Sequence, residues 1–144
     1  MFKRLLIATD GSEFAAKAVR DGLQLAKSLG ARVVVVTVTE PWLGLINADM
    51  NAISFPIEEY ERATKEEAAR ILGKVRDEAL ALAVECESLH VNGFPAEAII
   101  ETAKAKTCDL IVMGSHGRRG IARLLLGSQA SKVVTLSSVP VLVC

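Results

Sequence analysis

Val33-Val34-Val35-Val36-Thr37-Val38 decides how this chain is read. All six side chains branch at Cβ, which suits a pleated strand and disfavours a helix. The run is apolar on consecutive positions rather than alternating, as expected of a parallel strand covered on both faces. Gly30 precedes it and Pro41 stops it.

The segments on either side alternate in kind. Upstream, residues 13–29 put Ala15, Ala18, Val19, Gly22, Leu23 and Ala26 on one helical stripe, and Gly30 follows as a C-cap. Before that helix comes a first apolar run, Leu5-Leu6-Ile7-Ala8, turned by Asp10-Gly11-Ser12. Downstream, residues 42–55 are apolar without clean period. The spacing then predicts a long helix from near Pro56 to about Val84, with Ile57, Tyr60, Thr64, Ala68, Ile71, Val75, Ala79 and Leu82 inward. Glu61 with Lys65, and Glu66 with Arg70, are i,i+4 pairs on its wet face.

Residues 86–91 alternate like a less buried edge strand, with Leu89 and Val91 on one side and Ser88 and His90 on the other. Pro95 opens a helix to about Ala105. Leu110 to Met113 is a fourth strand, Ser128 to Leu136 a short helix, and Val139 to Val143 the last strand. The order βαβαβαβαβ implies a parallel sheet between helical layers, an α/β/α sandwich, with the whole chain, residues 1–144, as one domain.

Composition narrows the function. Lys plus Arg is 17 and Asp plus Glu is 17, a balance that argues against a dedicated nucleic-acid binder. The cysteines (Cys86, Cys108, Cys144) and the histidines (His90, His116) have neither zinc-site spacing nor an even count for a closed disulfide set, so buried reduced thiols are expected. No targeting signal or membrane-length apolar run is visible, and the expected location is the cytoplasm, away from membranes.

In an open parallel sheet, ligands bind beyond the carboxyl ends of the strands where the strand order reverses. Two loops stand at such ends: Thr9-Asp10-Gly11-Ser12, and the segment that opens with Gly114-Ser115-His116-Gly117 and runs to Gly127-Ser128. Glycines admit close backbone approach, and free N–H groups at a helix start attract phosphate oxygens. Arg118, Arg119 and Arg123 add positive charge to the second segment. The pattern G-x-x-x-x-G-K-[ST] is absent, as is G-x-G-x-x-G after the first strand. A P-loop NTPase and a dinucleotide-dependent dehydrogenase are therefore disfavoured.

Gly114, Gly117 and Gly127-Ser128 match G-x2-G-x9-G-[ST], the phosphate motif of the universal stress protein family, and the chain resembles the nucleotide-binding branch of that family. Ile7 to Ser12, Gly93-Phe94-Pro95 with Ile99-Ile100, and Val139 to Val143 extend the resemblance over nearly the whole chain. The resemblance implies a five-stranded parallel sheet of order 3-2-1-4-5 and a site for ATP, ADP or AMP. In that site Asp10 holds the ribose hydroxyls, the Val38 backbone meets the adenine edge and Met113 packs on the base. Gly114, Gly117, Gly127, Ser128 and the Gln129 backbone wrap ribose and phosphates. It also implies magnesium or manganese held through the phosphates, a stress-response role, and a homodimer through the last strand.

Plainer roles stand beside these. Asp10 can N-cap the first helix with Glu13 completing a capping box, Ser128 can cap the last helix, Met113 can be core, and His116 reads as a solvated loop residue. No catalytic residue is assigned. A nucleotide-dependent binding module is the leading expectation. Slow ATP hydrolysis, a flavin site and a nucleotide-free scaffold are its rivals. The flavin reading is weakened by the carboxylate of Asp10 where its phosphate loop would lie. The apolar connection from Trp42 to Phe55 has no assigned role.

Overall fold

The computed structural model describes residues 1–41, 57–117 and 126–144. Nine elements follow in the order β1 (Arg4–Ala8), α1 (Glu13–Leu29), β2 (Arg32–Thr39), α2 (Ile57–Ala81), β3 (Cys86–Asn92), α3 (Pro95–Ala105), β4 (Leu110–Met113), α4 (Ser128–Leu136) and β5 (Val141–Val143). The strands form one sheet in the order β3-β2-β1-β4-β5, with every pairing parallel.

The consecutive apolar residues of the central strands are explained by two cores, one on each face. Leu5, Ile7, Val33, Val35, Leu110 and Val112 point toward α1 and α2. Their neighbours Leu6, Val34, Val36, Ile111 and Met113 point toward α3 and α4. Strand side chains alternate in direction, so a strand apolar at every position has to be covered twice. Helix α1 buries the six residues of the expected stripe and ends at Gly30, whose φ of 64° is the left-handed conformation of a C-cap.

Three details differ from the sequence reading. Ile57 is 47% exposed, and α2 buries only Ala68, Ile71, Leu72, Val75 and Ala79. A helix of 25 residues runs about 37 Å, whereas the eight residues of β2 span about 26 Å, so its first turns overrun the sheet. Arg70 forks onto Glu67, three residues back, at 2.9 and 2.6 Å, rather than pairing with Glu66. The last strand starts at Val141 instead of Val139. Pro140 has no N–H to give, and the Val139 N–H is taken by Ser137 Oγ at 3.1 Å.

Pro56 and the connection from Trp42 to Phe55 lie outside the described residues, as do Arg118, Arg119 and Arg123.

Candidate functional site

Strand β1 pairs with β2 on one side and β4 on the other, so the chain leaves β1 and β4 in opposite directions. The loops after these two strands part and open a crevice. Crossover geometry also starts each helix at the carboxyl edge of the sheet, and α1, α3 and α4 all reach this crevice. Ala15, Pro95 and Ser128 line a single cavity of about 550 Å³ with the strand ends Ala8, Val38 and Met113. That volume suits a small organic ligand or cofactor.

The three helix starts differ in where their backbone N–H groups go. At α1, Ser12 is the N-cap: its Oγ accepts the Ala15 N–H at 3.2 Å. Asp10 is not the cap. Its Oδ1 accepts the Ser12 N–H at 2.9 Å in a tight turn one step earlier. This corrects the capping box expected of Asp10 and Glu13, and it leaves Asp10 lining the cavity. At α3, the Ala96 N–H is received by Gln129 Oε1 from α4 at 3.2 Å. At α4 the cap position belongs to Gly127 rather than Ser128, and no side chain caps it. Gly127 donates to Ser115 O at 2.7 Å, and the first bond inside the helix runs from Ser131 N to Gly127 O. The N–H groups of Ser128, Gln129 and Ala130 are therefore the donors that helix geometry leaves over, and all three residues line the cavity. The dipole of α4 adds partial positive charge there.

Two glycines are required by space. A Cβ on Gly114 would come within 2.9 Å of the Phe14 carbonyl, because α1 begins directly against the end of β4. A Cβ on Gly127 would come within 2.9 Å of Ser115 O. Both contacts are with backbone, which cannot swing aside as a side chain can.

The eight sequence-derived site residues, Asp10, Val38, Met113, Gly114, Gly117, Gly127, Ser128 and Gln129, all line the one cavity. Met113 serves twice, buried in the α3/α4 core and facing the cleft. His116 departs from its reading as solvated. It is only 9% exposed, its ring sits 5.1 Å from that of Phe14, and Nδ1 lies 3.0 Å from Ser115 Oγ. The first turn of α1 folds over it, a contact between distant segments that local pattern does not announce. Glu40 was missed altogether. It lines the cavity, and the Tyr60 hydroxyl donates to its backbone carbonyl at 2.7 Å. Burial, with the Glu40 charge second, pushes the Tyr60 phenol upward. The signal was available, since Glu40 directly follows β2 and the strand-end rule applies to β2 as it does to β1 and β4. Among the described residues there is no cluster of three or more His, Cys, Asp or Glu side chains able to hold a metal ion.

A family model described as the universal stress protein family matches residues 1–144. This chain belongs to the universal stress protein family. Universal stress protein YxiE of Bacillus subtilis is 34% identical over 146 residues, covering 99% of both chains. Among solved structures, that of the Methanocaldococcus jannaschii protein MJ0577 superposes with a TM-score of 0.84 at 27% identity, over 99% of this chain and 95% of that one. A universal stress protein solved in complex with cAMP superposes at 0.73, also at 27% identity, over 99% and 96% of the two chains. For this universal stress protein, no helix of the described residues is long and apolar enough to cross a membrane.

Proposed function

We propose that this universal stress protein binds an adenine nucleotide, ATP in the first instance, in the cleft between β1 and β4. One observation carries the reading: of the three helix starts on the cleft, α1 and α3 each give one N–H to a side-chain oxygen, Ser12 Oγ and Gln129 Oε1, and α4 gives none. A row of N–H groups at a bare helix start, beside glycines that keep Cβ atoms away, fits phosphate oxygens. The apolar end of the cleft at Ala8, Val38, Ile99 and Met113 fits a flat base. Asp10 sits between the two and receives the ribose hydroxyls. Gly114, Gly117, Gly127, Ser128 and the Gln129 backbone wrap ribose and phosphates. A relative that is solved with cAMP supports an adenine ligand.

Magnesium or manganese accompanies ATP through phosphate and water ligands in this reading. The nucleotide acts as a bound signal that favours one conformation or assembly over another, and no group is assigned to catalysis. The assembly is a homodimer through the last strand, β5. There β5 leaves a sheet edge unpaired, and Val134, Leu136 and Leu142 are 46%, 59% and 39% exposed. The protein acts in the cytoplasm, as a stress-response component.

Gly117→Val tests the site. A Cβ there reaches 3.0 Å from Asp10 Oδ2 without meeting backbone, so the side chain enters the cleft and the fold survives. The expected outcome is loss of measurable ATP binding with an unchanged thermal transition. Unchanged ATP affinity overturns the assignment.

A further inference from the structure

The β4–β5 ladder does not stop where the strands do. Met113 pairs with Val143 as the last strand rung, and one more rung follows. The Cys144 N–H donates to Met113 O at 2.9 Å, and the Ser115 N–H donates to Cys144 O at 2.8 Å. The Gly127 N–H then donates to Ser115 O at 2.7 Å. A relay of three backbone hydrogen bonds therefore runs from the end of β4, through Cys144, to both ends of the glycine segment. It spans residues that lie far apart in sequence. Met113 and Gly127 at its far ends, and Gly114 beside Ser115, line the cavity, whereas Cys144 does not.

We propose that the backbone of Cys144 is a positioning element of the phosphate site: it holds Ser115, and through Ser115 sets where Gly127 and the open start of α4 stand. This rests on the nucleotide reading above. The relay acts mainly on the phosphate half of the cleft: of the base and ribose half it touches only the Met113 carbonyl, whereas Ala8, Val38 and Asp10 belong to β1, β2 and their loops. The thiol is not the working part. It packs against the α1/α2 core and carries no bond of the relay.

The test compares ATP and adenosine, which share base and ribose and differ in phosphate, on three forms of the protein. The first is a chain ending at Val143, which loses both Cys144 bonds. The second is Cys144→Pro, which loses only the donor to Met113 O. The third is Cys144→Ala, which keeps the backbone. The truncated chain should bind ATP about tenfold more weakly, the effect of one or two lost hydrogen bonds, with adenosine affinity within about twofold of the wild type. Cys144→Pro should move in the same direction by less, and Cys144→Ala should leave both affinities unchanged. Equal losses for ATP and adenosine, or no loss of ATP in either backbone variant, overturn the proposal. If the unaltered chain binds no ATP, the nucleotide reading falls first and takes the positioning role with it. Amide exchange on the ligand-free wild type needs no variant. The Ser115 and Gly127 N–H groups should exchange at least about tenfold more slowly than unstructured amides, and unprotected exchange at both contradicts the relay.

Discussion

Ser12 performs the capping task that the sequence reading offered to Asp10. The Ser12 hydroxyl caps α1, and Asp10 closes the preceding turn while lining the cleft. Ser12→Ala should therefore cost about 1 kcal/mol in denaturant unfolding, the usual loss for a capping hydroxyl. It should leave nucleotide affinity untouched. Asp10→Asn keeps the acceptor for the Ser12 N–H, so it should cost little stability while weakening ATP. Equal stability losses for the two would contradict the division of roles. The sequence pointed to Asp10 because Glu13 three residues on completes a capping-box pattern, and only the position of the first helical turn moves the cap to Ser12. The thiols make a second prediction at this scale. Burial raises all three above their ordinary value of 9.0, and Cys108 most, to about 11. The folded chain thus holds the Cys108 proton more tightly than the unfolded chain does. That contribution is complete below pH 9.0 and is lost as pH rises through about 11. Unfolding measured from pH 8 to 11 should show the wild type losing stability relative to Cys108→Ala, and parallel curves would contradict it.

Helix packing on the sheet explains why two helical glycines should respond oppositely to alanine. A Cβ on Gly22 would meet Ile7 Cδ1 at 2.8 Å and Val112 Cγ1 at 3.3 Å, in the fully buried α1 interface. Crowding of about 1–3 kcal/mol there exceeds the helix-propensity gain of about 1 kcal/mol, so Gly22→Ala should destabilise. Gly73 in α2 has only Arg76 Nη2 near it, at 4.0 Å, so Gly73→Ala should stabilise by about 0.5–1 kcal/mol. Thermal melts of the two variants shifting the same way would refute this contrast. Elements were legible where one face is buried along the full length. The stripe of α1 and the run Val33 to Val38 are of that kind, as is Leu110 to Met113, buried throughout. They were misread at ends, where burial depends on how far a neighbour extends. Ile57 lies on the overrun of α2, and the start of the last strand was set by Pro140 and the Ser137 hydroxyl. The same limit hid the cover that Phe14 gives His116, since no spacing rule links residues 14 and 116.

For the molecule as a whole, site and topology share one cause. A parallel sheet whose order reverses between β1 and β4 gathers the starts of α1, α3 and α4 on a single cleft, and a side-chain oxygen receives one N–H at the first two and none at the third. The strand order and the glycine spacing were readable from sequence through family resemblance. The uncapped start of α4 was not, because it follows from Gln129 turning away to α3 and from Gly127 binding Ser115. The same architecture leaves β5 at an edge with apolar side chains around it, and a dimer formed there would lose stability on Leu142→Lys, read as a shift to monomer in sedimentation. A dimer undisturbed by that change would place the interface elsewhere. The central claim is the nucleotide site, and its most direct test is calorimetric titration of magnesium ATP into ligand-stripped protein. We predict saturable binding close to one ATP per chain, abolished in Gly117→Val. Absence of heat at several temperatures, with the protein folded by its melting transition, would contradict it.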